Sequence, residues 1–180
     1  MYTEGGAGRY EGATRQGLVF AAANQAAKTY SLFGNTTATG LILSNPPTSG
    51  KLISVVSIEF MKAAVAAAQF EDLVISVGAM GGSFAHTTPL TVQPCNVGKA
   101  PSIGVGLCDE AATLTAAGLV IAPFAVPSAS ATANVSVPPV TIWEVSGRFA
   151  IQPGSFLQLA GGFTNTVSGV GGIIWREIDI

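Results

Sequence analysis

An all-β fold, a sandwich or a barrel, is what this sequence predicts. Short apolar runs, about nine to eleven of them, recur along the chain. Gly, Pro, Ser and Asn bound these runs at fairly even spacing. No sustained 3.6-residue apolar stripe marks an amphipathic helix. At 180 residues the chain forms one domain with room for a sizeable core.

Residues 1–16 read as a separate extended arm, and residues 17–180 as the β domain. The arm holds four glycines and almost no aliphatic side chain, so it cannot bury itself and is expected to be disordered alone. It carries Tyr2, Arg9, Tyr10 and Arg15, residue types that anchor interfaces, which makes it a candidate docking arm. Leu18, Val19 and Phe20 open the first strand. The alanines of residues 21–28 favour a helix by propensity but lack its apolar stripe. Residues 39–44 form a strand, and residues 45–50 (NPPTSG) form a turn-rich loop.

Residues 51–60 form a strand with apolar groups on both faces: Leu52, Val56, Ile58 and Phe60 on one, Ile53 and Val55 on the other. Coverage on both sides, by a second sheet and by another subunit, would account for this and makes Ile53 and Val55 candidate interface residues. Residues 62–70 are a short helix or an alanine-lined loop. Strands are expected at 73–79, 90–97, 103–108, 119–126 and 140–145, with a loop at 81–89. At the C-terminal end, Phe149 and Ile151 alternate up to Pro153-Gly154-Ser155, and Leu157 and Leu159 resume beyond it. A three-residue loop setting Ile151 opposite Leu157 keeps all four on one face, so a hairpin is expected there. The closing run GGIIWREIDI should pair inside the sheet, since a free terminal strand would fray.

Charged residues make up 10% of the chain against a typical ~25%, so its surface must be rich in Ser, Thr, Asn, Gly and apolar groups. Such a surface predicts coverage by copies of the chain or by a partner. The longest apolar stretch, residues 111–127, contains two prolines and falls short of a membrane span, and the first 17 residues do not resemble a signal peptide. A net charge of −2 offers nothing to nucleic acid. Cys95 and Cys108 read as small buried hydrophobes.

Motifs for catalysis are sparse. Residues 45–52 contain Ser-Gly-Lys but lack the first glycine and the hydroxyl after Lys51 that a phosphate loop needs. Gly104 and Gly106 lack a third glycine and a following helix. One histidine, His86, cannot supply a cupin-like metal set and reads as a surface-loop residue. The pairs Glu71-Asp72 and Asp109-Glu110 point to opposite faces of a strand and read as solvated strand ends. Asn35 and Asn134 match the glycosylation pattern. Trp143 and Trp175 are expected in the core or at a subunit interface. No cofactor, metal or catalytic centre is expected.

Beyond these local features, residues 17–26 (GLVFAAANQA), 39–46 (TGLILSNP) and 49–51 (SGK), with the Pro153-Gly154-Ser155 turn and the GIIWRE ending, resemble a group of small virion proteins of tailed bacteriophages. The likeness spans residues 17–180 and rests on turns and strand ends. It implies a jelly-roll-like antiparallel sandwich, a homotrimer, and a non-enzymatic decoration (cement) role on the outer capsid, with the major capsid protein as partner. A receptor-binding or fibre-like virion protein recognising host carbohydrate is the alternative.

Overall fold

The computed structural model describes residues 9–63, 72–98, 104–125, 140–162 and 166–180. Tyr2, Glu71, Asn134, the expected strand start at Ile103 and nearly all of the 62–70 segment lie outside these residues. Among these residues the protein is all-β apart from one six-residue helix, α1 (Glu11–Gln16). Thirteen strands follow: β1 (Val19–Ala23), β2 (Lys28–Tyr30), β3 (Thr37–Asn45), β4 (Lys51–Lys62), β5 (Asp72–Ala79), β6 (Ala85–Pro89), β7 (Gln93–Pro94), β8 (Leu107–Thr113), β9 (Leu119–Ala125), β10 (Val140–Glu144), β11 (Ala150–Ile151), β12 (Ser155–Gly161) and β13 (Val167–Asp179). Sheet A runs β10-β4-β13-β1-β7, with β11 also beside β4 and β2 also beside β13. Sheet B runs β6-β8-β3-β12-β5-β9. The sheets are antiparallel and face each other as a sandwich. Ile53, Val55, Ile58, Phe60 and Trp175 from sheet A meet Leu41, Leu43, Ile75, Leu157 and Leu159 from sheet B.

The C-terminal run lies at the centre of sheet A, as expected. It is longer than the sequence suggested, because it begins at Val167 and pairs with β4 from Gly169–Lys62 to Asp179–Lys51. Along β13 every odd residue from Val167 to Glu177 is buried, a period of two without a break. β4 does break. Ile174 lies opposite Ser57 and Trp175 opposite Val55, so Val56 is an extra residue and forms a β-bulge. Before it the odd residues Ile53 and Val55 face the core. Beyond it the even residues Ile58 and Phe60 do. The bulge therefore explains apolar groups of both parities in one strand. A second subunit is not needed to cover Ile53 and Val55, and both are fully buried within the chain. On the other edge of β4 the chain makes a matching detour between β10 and β11. Ser146 (φ 53°) and Gly147 (φ 82°) form a tight turn closed by the Arg148 N–H donating to Val145 O.

The 149–159 segment is a turn but not a hairpin. Ser155 N–H donates to Gln152 O across Pro153-Gly154, and Gly154 has φ 78°, the geometry of a type II turn. Its two arms enter different sheets: Ile151 pairs with Ile53 in sheet A, and Leu157 pairs with Leu43 and Val77 in sheet B. Both arms alternate because each has one face on the shared core, and a hairpin would produce the same pattern.

Three further expectations are corrected. Residues 21–28 are not helical, since β1 continues to Ala23 and β2 starts at Lys28. The 81–89 loop contains a strand, β6, whereas only Gln93 and Pro94 of the 90–97 run are strand. The arm is not extended through Gln16. Glu11 sits in the first turn of α1 and Arg15 in its last, 2.6 Å apart as an i,i+4 pair, and Gly17 ends the helix in the left-handed conformation.

A polar cluster stands where the alanine-rich run suggested a helix. Tyr30 Oη donates to Asn24 Oδ1 at 2.6 Å, Gly171 N–H donates to the same oxygen at 3.1 Å, and Asn24 Nδ2 donates to Gly40 O at 3.0 Å. Asn24 and Tyr30 are both buried, and burial pushes the Tyr30 phenol up from its ordinary value. Gly40 takes φ 120° at an irregularity in the β3–β8 pairing, and a Cβ there would lie 2.5 Å from the Tyr30 ring. Gly40→Ala combines backbone strain with overpacking and should lower stability by roughly 2–4 kcal/mol in urea unfolding.

Candidate functional site

His86 is the first group to examine, because its neighbourhood differs from the surface loop expected. It lies on the edge strand β6, and its Nδ1 is 2.7 Å from Asp109 Oδ2 on β8. Asp109 is fully buried rather than a solvated strand end, and its Oδ1 is buried without a hydrogen-bond partner. A histidine oriented by a buried carboxylate is two parts of a catalytic triad. Here β6 is an exposed edge strand, and the imidazole, packed edge-on against Phe84 at 5.1 Å, keeps 30% of its side-chain surface open to water. Among the described residues, no three His, Cys, Asp or Glu side chains gather closely enough to hold a metal. Glu110, next along β8, pairs with Lys28 at 2.7 Å.

Glu177 is the second buried carboxylate. Its Oε1 accepts the Val105 and Gly106 backbone N–H groups at 2.8 and 2.9 Å, and Trp175 Nε1 at 3.3 Å. Lys51 Nζ lies 3.9 Å from Oε2 and 3.6 Å from Asp179. The arrangement ties the 104–106 segment to the central strand. The sequence signal was available in parity, because Glu177 follows Ile173 and Trp175 on the core-facing side of a strictly alternating strand.

The candidate interface residues divide. Ile53, Val55 and Trp175 have no exposed surface, and Trp175 stacks on Phe20 with ring centroids 6.1 Å apart. Their surface is spent inside the chain, so they are core residues and not an interface. Trp143 is half-buried on β10, between Phe124 at 5.9 Å and Phe149 at 5.5 Å. These rings bring β9 and β10, the edge strands of the two sheets, together on one side of the sandwich. The arm residues are not gathered into a site. The Arg9 guanidinium lies 5.6 Å over the Tyr10 ring, Arg15 pairs with Glu11, and α1 is tied down by Leu18 N–H donating to Ala13 O and Asn96 Nδ2 donating to Arg15 O. Cys108 is buried as expected and Cys95 is half-buried; both are free, and burial pushes both thiols up.

Two surface features could receive a partner. A cavity of about 370 Å³ lies beside β5, β9 and the 148–157 corner, lined by Val77, Ile121, Phe149 and Phe156 together with Arg148 and Gln152. Around the paired edges, Leu119, Ile121, Val140, Ile142 and Met61 are each 40–77% exposed, an apolar strip on a protein with few charges. Among the described residues, no helix is long and apolar enough to cross a membrane. Comparison with protein families, curated proteins and solved structures found no match to this chain.

Burial pushes the Asp109 carboxyl above the ordinary range, while the His86 hydrogen bond and charge pull it back. With its folded pKa raised, this group supports folding when protonated. That support is whole below about pH 4 and fades as pH rises through the folded pKa. The melting temperature of Asp109→Asn relative to the natural chain should therefore climb between about pH 4 and 7. A constant difference across that range would mean the carboxyl has its ordinary proton affinity. Glu177→Ala strands two buried donors, Gly106 N–H and Trp175 Nε1, and the half-buried Val105 N–H, and should cost about 3 kcal/mol or more in denaturant unfolding, whereas Glu177→Gln keeps an acceptor and should cost less.

Proposed function

We propose that this chain is a non-enzymatic decoration, or cement, protein of a tailed bacteriophage, made in the host cytoplasm and bound on the outer capsid surface. In this reading the sandwich is a jelly roll. Its support is that consecutive strands alternate between sheets, from β3 in B to β4 in A to β5 in B, and again from β11 to β12 to β13. Three copies would pack around a threefold axis and bind the assembled lattice of the major capsid protein. Several weak contacts held in one particle act together, and a ligand of the assembled lattice alone stabilises the shell.

The observation that carries the proposal is the apolar strip along β9 and β10. Two adjacent sheet edges with exposed Leu119, Ile121, Val140 and Ile142 suit a protein that works only when covered. The 10% charge content suits the same role, because little of the surface is built to remain in water. The cavity beside Phe149 and Arg148 favours a second reading, a receptor-binding virion protein that takes a carbohydrate there.

Immunogold labelling of purified phage particles distinguishes these readings. Gold over the head is the expected result. Gold at the tail tip would favour carbohydrate recognition, and absence from particles would refute both.

A further inference from the structure

We infer that the cavity at the 148–157 corner is a binding site for one acidic sugar, held by its carboxylate at Arg148. The inference rests on the reading in which this cavity takes a carbohydrate and names the class of sugar. It holds for a place on head or tail alike.

The cavity lies where the two sheets part. Ile151 and Leu157 leave this corner for opposite sheets, and they line the cavity together with Val77, Ile121 and Phe149. Phe149 is half-buried, with its ring edge-on to Trp143 at 5.5 Å, and Ile121 is 45% exposed. The polar side chains of the lining are Arg148, Gln152 and Ser155, and no acid is among the lining residues. The Arg148 guanidinium has no ion-pair partner among the described residues. A volume of about 370 Å³ is near the lower end for ligand cavities, so a single ring fits.

The backbone that carries these groups is fixed. Beside the β4 bulge, Val55 N–H donates to Phe149 O at 3.0 Å and Val55 O accepts from Gly147 N–H at 2.8 Å, which clamps the chain on both sides of Arg148. Gly154 N–H donates to Asn45 O at 2.7 Å and holds the turn between Gln152 and Ser155. A frame set before the ligand arrives loses less freedom on binding.

The lining selects the ligand. One cation with no acid beside it, in a chain of net charge −2, matches one negative charge. A guanidinium meets a carboxylate with two parallel hydrogen bonds, whereas a phosphate monoester brings more than one charge to a single cation. A neutral sugar gives Arg148 no charged partner. An apolar acid gives the Gln152 amide and the Ser155 hydroxyl nothing to bond. A sugar acid uses all of them: carboxylate on Arg148, hydroxyls on Gln152 and Ser155, and the C–H face of its ring against Phe149.

Isothermal titration of the full chain at constant ionic strength tests this. The ligands are glucuronate, galacturonate and N-acetylneuraminate, beside glucose, galactose and benzoate. A Kd of roughly 1 mM is expected for at least one acidic sugar, because few polar contacts in an open cavity bind weakly. Neutral sugars and benzoate should bind about tenfold more weakly or worse. Arg148→Gln should remove the preference for acids, and since Arg148 is exposed the variant should keep its melting temperature. Ile121→Glu sets a like charge in the lining and should weaken the acidic sugars too, which locates binding here. A disaccharide ending in the acid that binds distinguishes the source. Binding as tight as the single sugar assigns the site to a polysaccharide end, and much weaker binding to a free sugar. Equal binding of acidic and neutral sugars, or a preference that survives Arg148→Gln, would overturn the inference and keep the carbohydrate reading. Benzoate binding as well as the sugar acids would overturn it also. Binding of no sugar would overturn both, and the capsid-decoration reading would stand apart from all of these outcomes.

Discussion

The pairing of β4 with β13 is the constraint on which the rest of this structure depends. These are the two longest strands, twelve and thirteen residues, and they form the middle of sheet A. Their pairing stays continuous only because Val56 is set aside as a bulge. Without the bulge, either Ile53 and Val55 or Ile58 and Phe60 would face away from sheet B. Burying one such side chain is worth roughly 1.5–3 kcal/mol, so the choice of parity is not marginal. The bulge in turn requires the detour at Ser146-Gly147 on the neighbouring edge, which sets where β10 ends and β11 begins.

Polar groups close the ends of the sandwich. Asn24 and Tyr30 join β1, β2, β3 and β13. Farther along β3, Asn45 donates from Nδ2 to Lys51 O and Ile151 O, both at 2.8 Å, and ties sheet B to the start of β4 and to β11. Glu177 performs the same task for the 104–106 segment. Each replaces hydration of backbone groups that would be costly to bury unpaired. A chain with so few charges uses its buried acids and amides as fasteners, while its exposed surface carries apolar groups. The one carboxylate–histidine pair sits on an open edge strand, where water reaches it.

Much of the fold was legible because its signals are local. Apolar runs bounded by Gly, Pro, Ser or Asn marked β3, β4, β5, β9, β10 and β13, alternation marked the stretches around Ile151 and Leu157, and Pro153-Gly154 marked a turn. These patterns record that a residue has one dry face and one wet face, or needs an unusual φ, and neither depends on a distant part of the chain. The alanine-rich run failed for the complementary reason. Propensity favoured a helix there, but Asn24, which accepts from Tyr30, completes its hydrogen bonds only with Gly40 and Gly171, farther along the chain.

What the residues determined alone was the β class, the turn at Gln152–Ser155 and the burial of the final strand. What tertiary structure decided was which strands are neighbours. Ile151 and Leu157 look like two sides of a hairpin, yet they reach the same core from opposite sheets. Ile53 and Val55 look like an outer face, yet a bulge turns them inward. Asp109 looks like a solvated end until His86, 23 residues away, is brought beside it. Period two shows that a strand has an inside; only the closure of distant pairs shows what lies there.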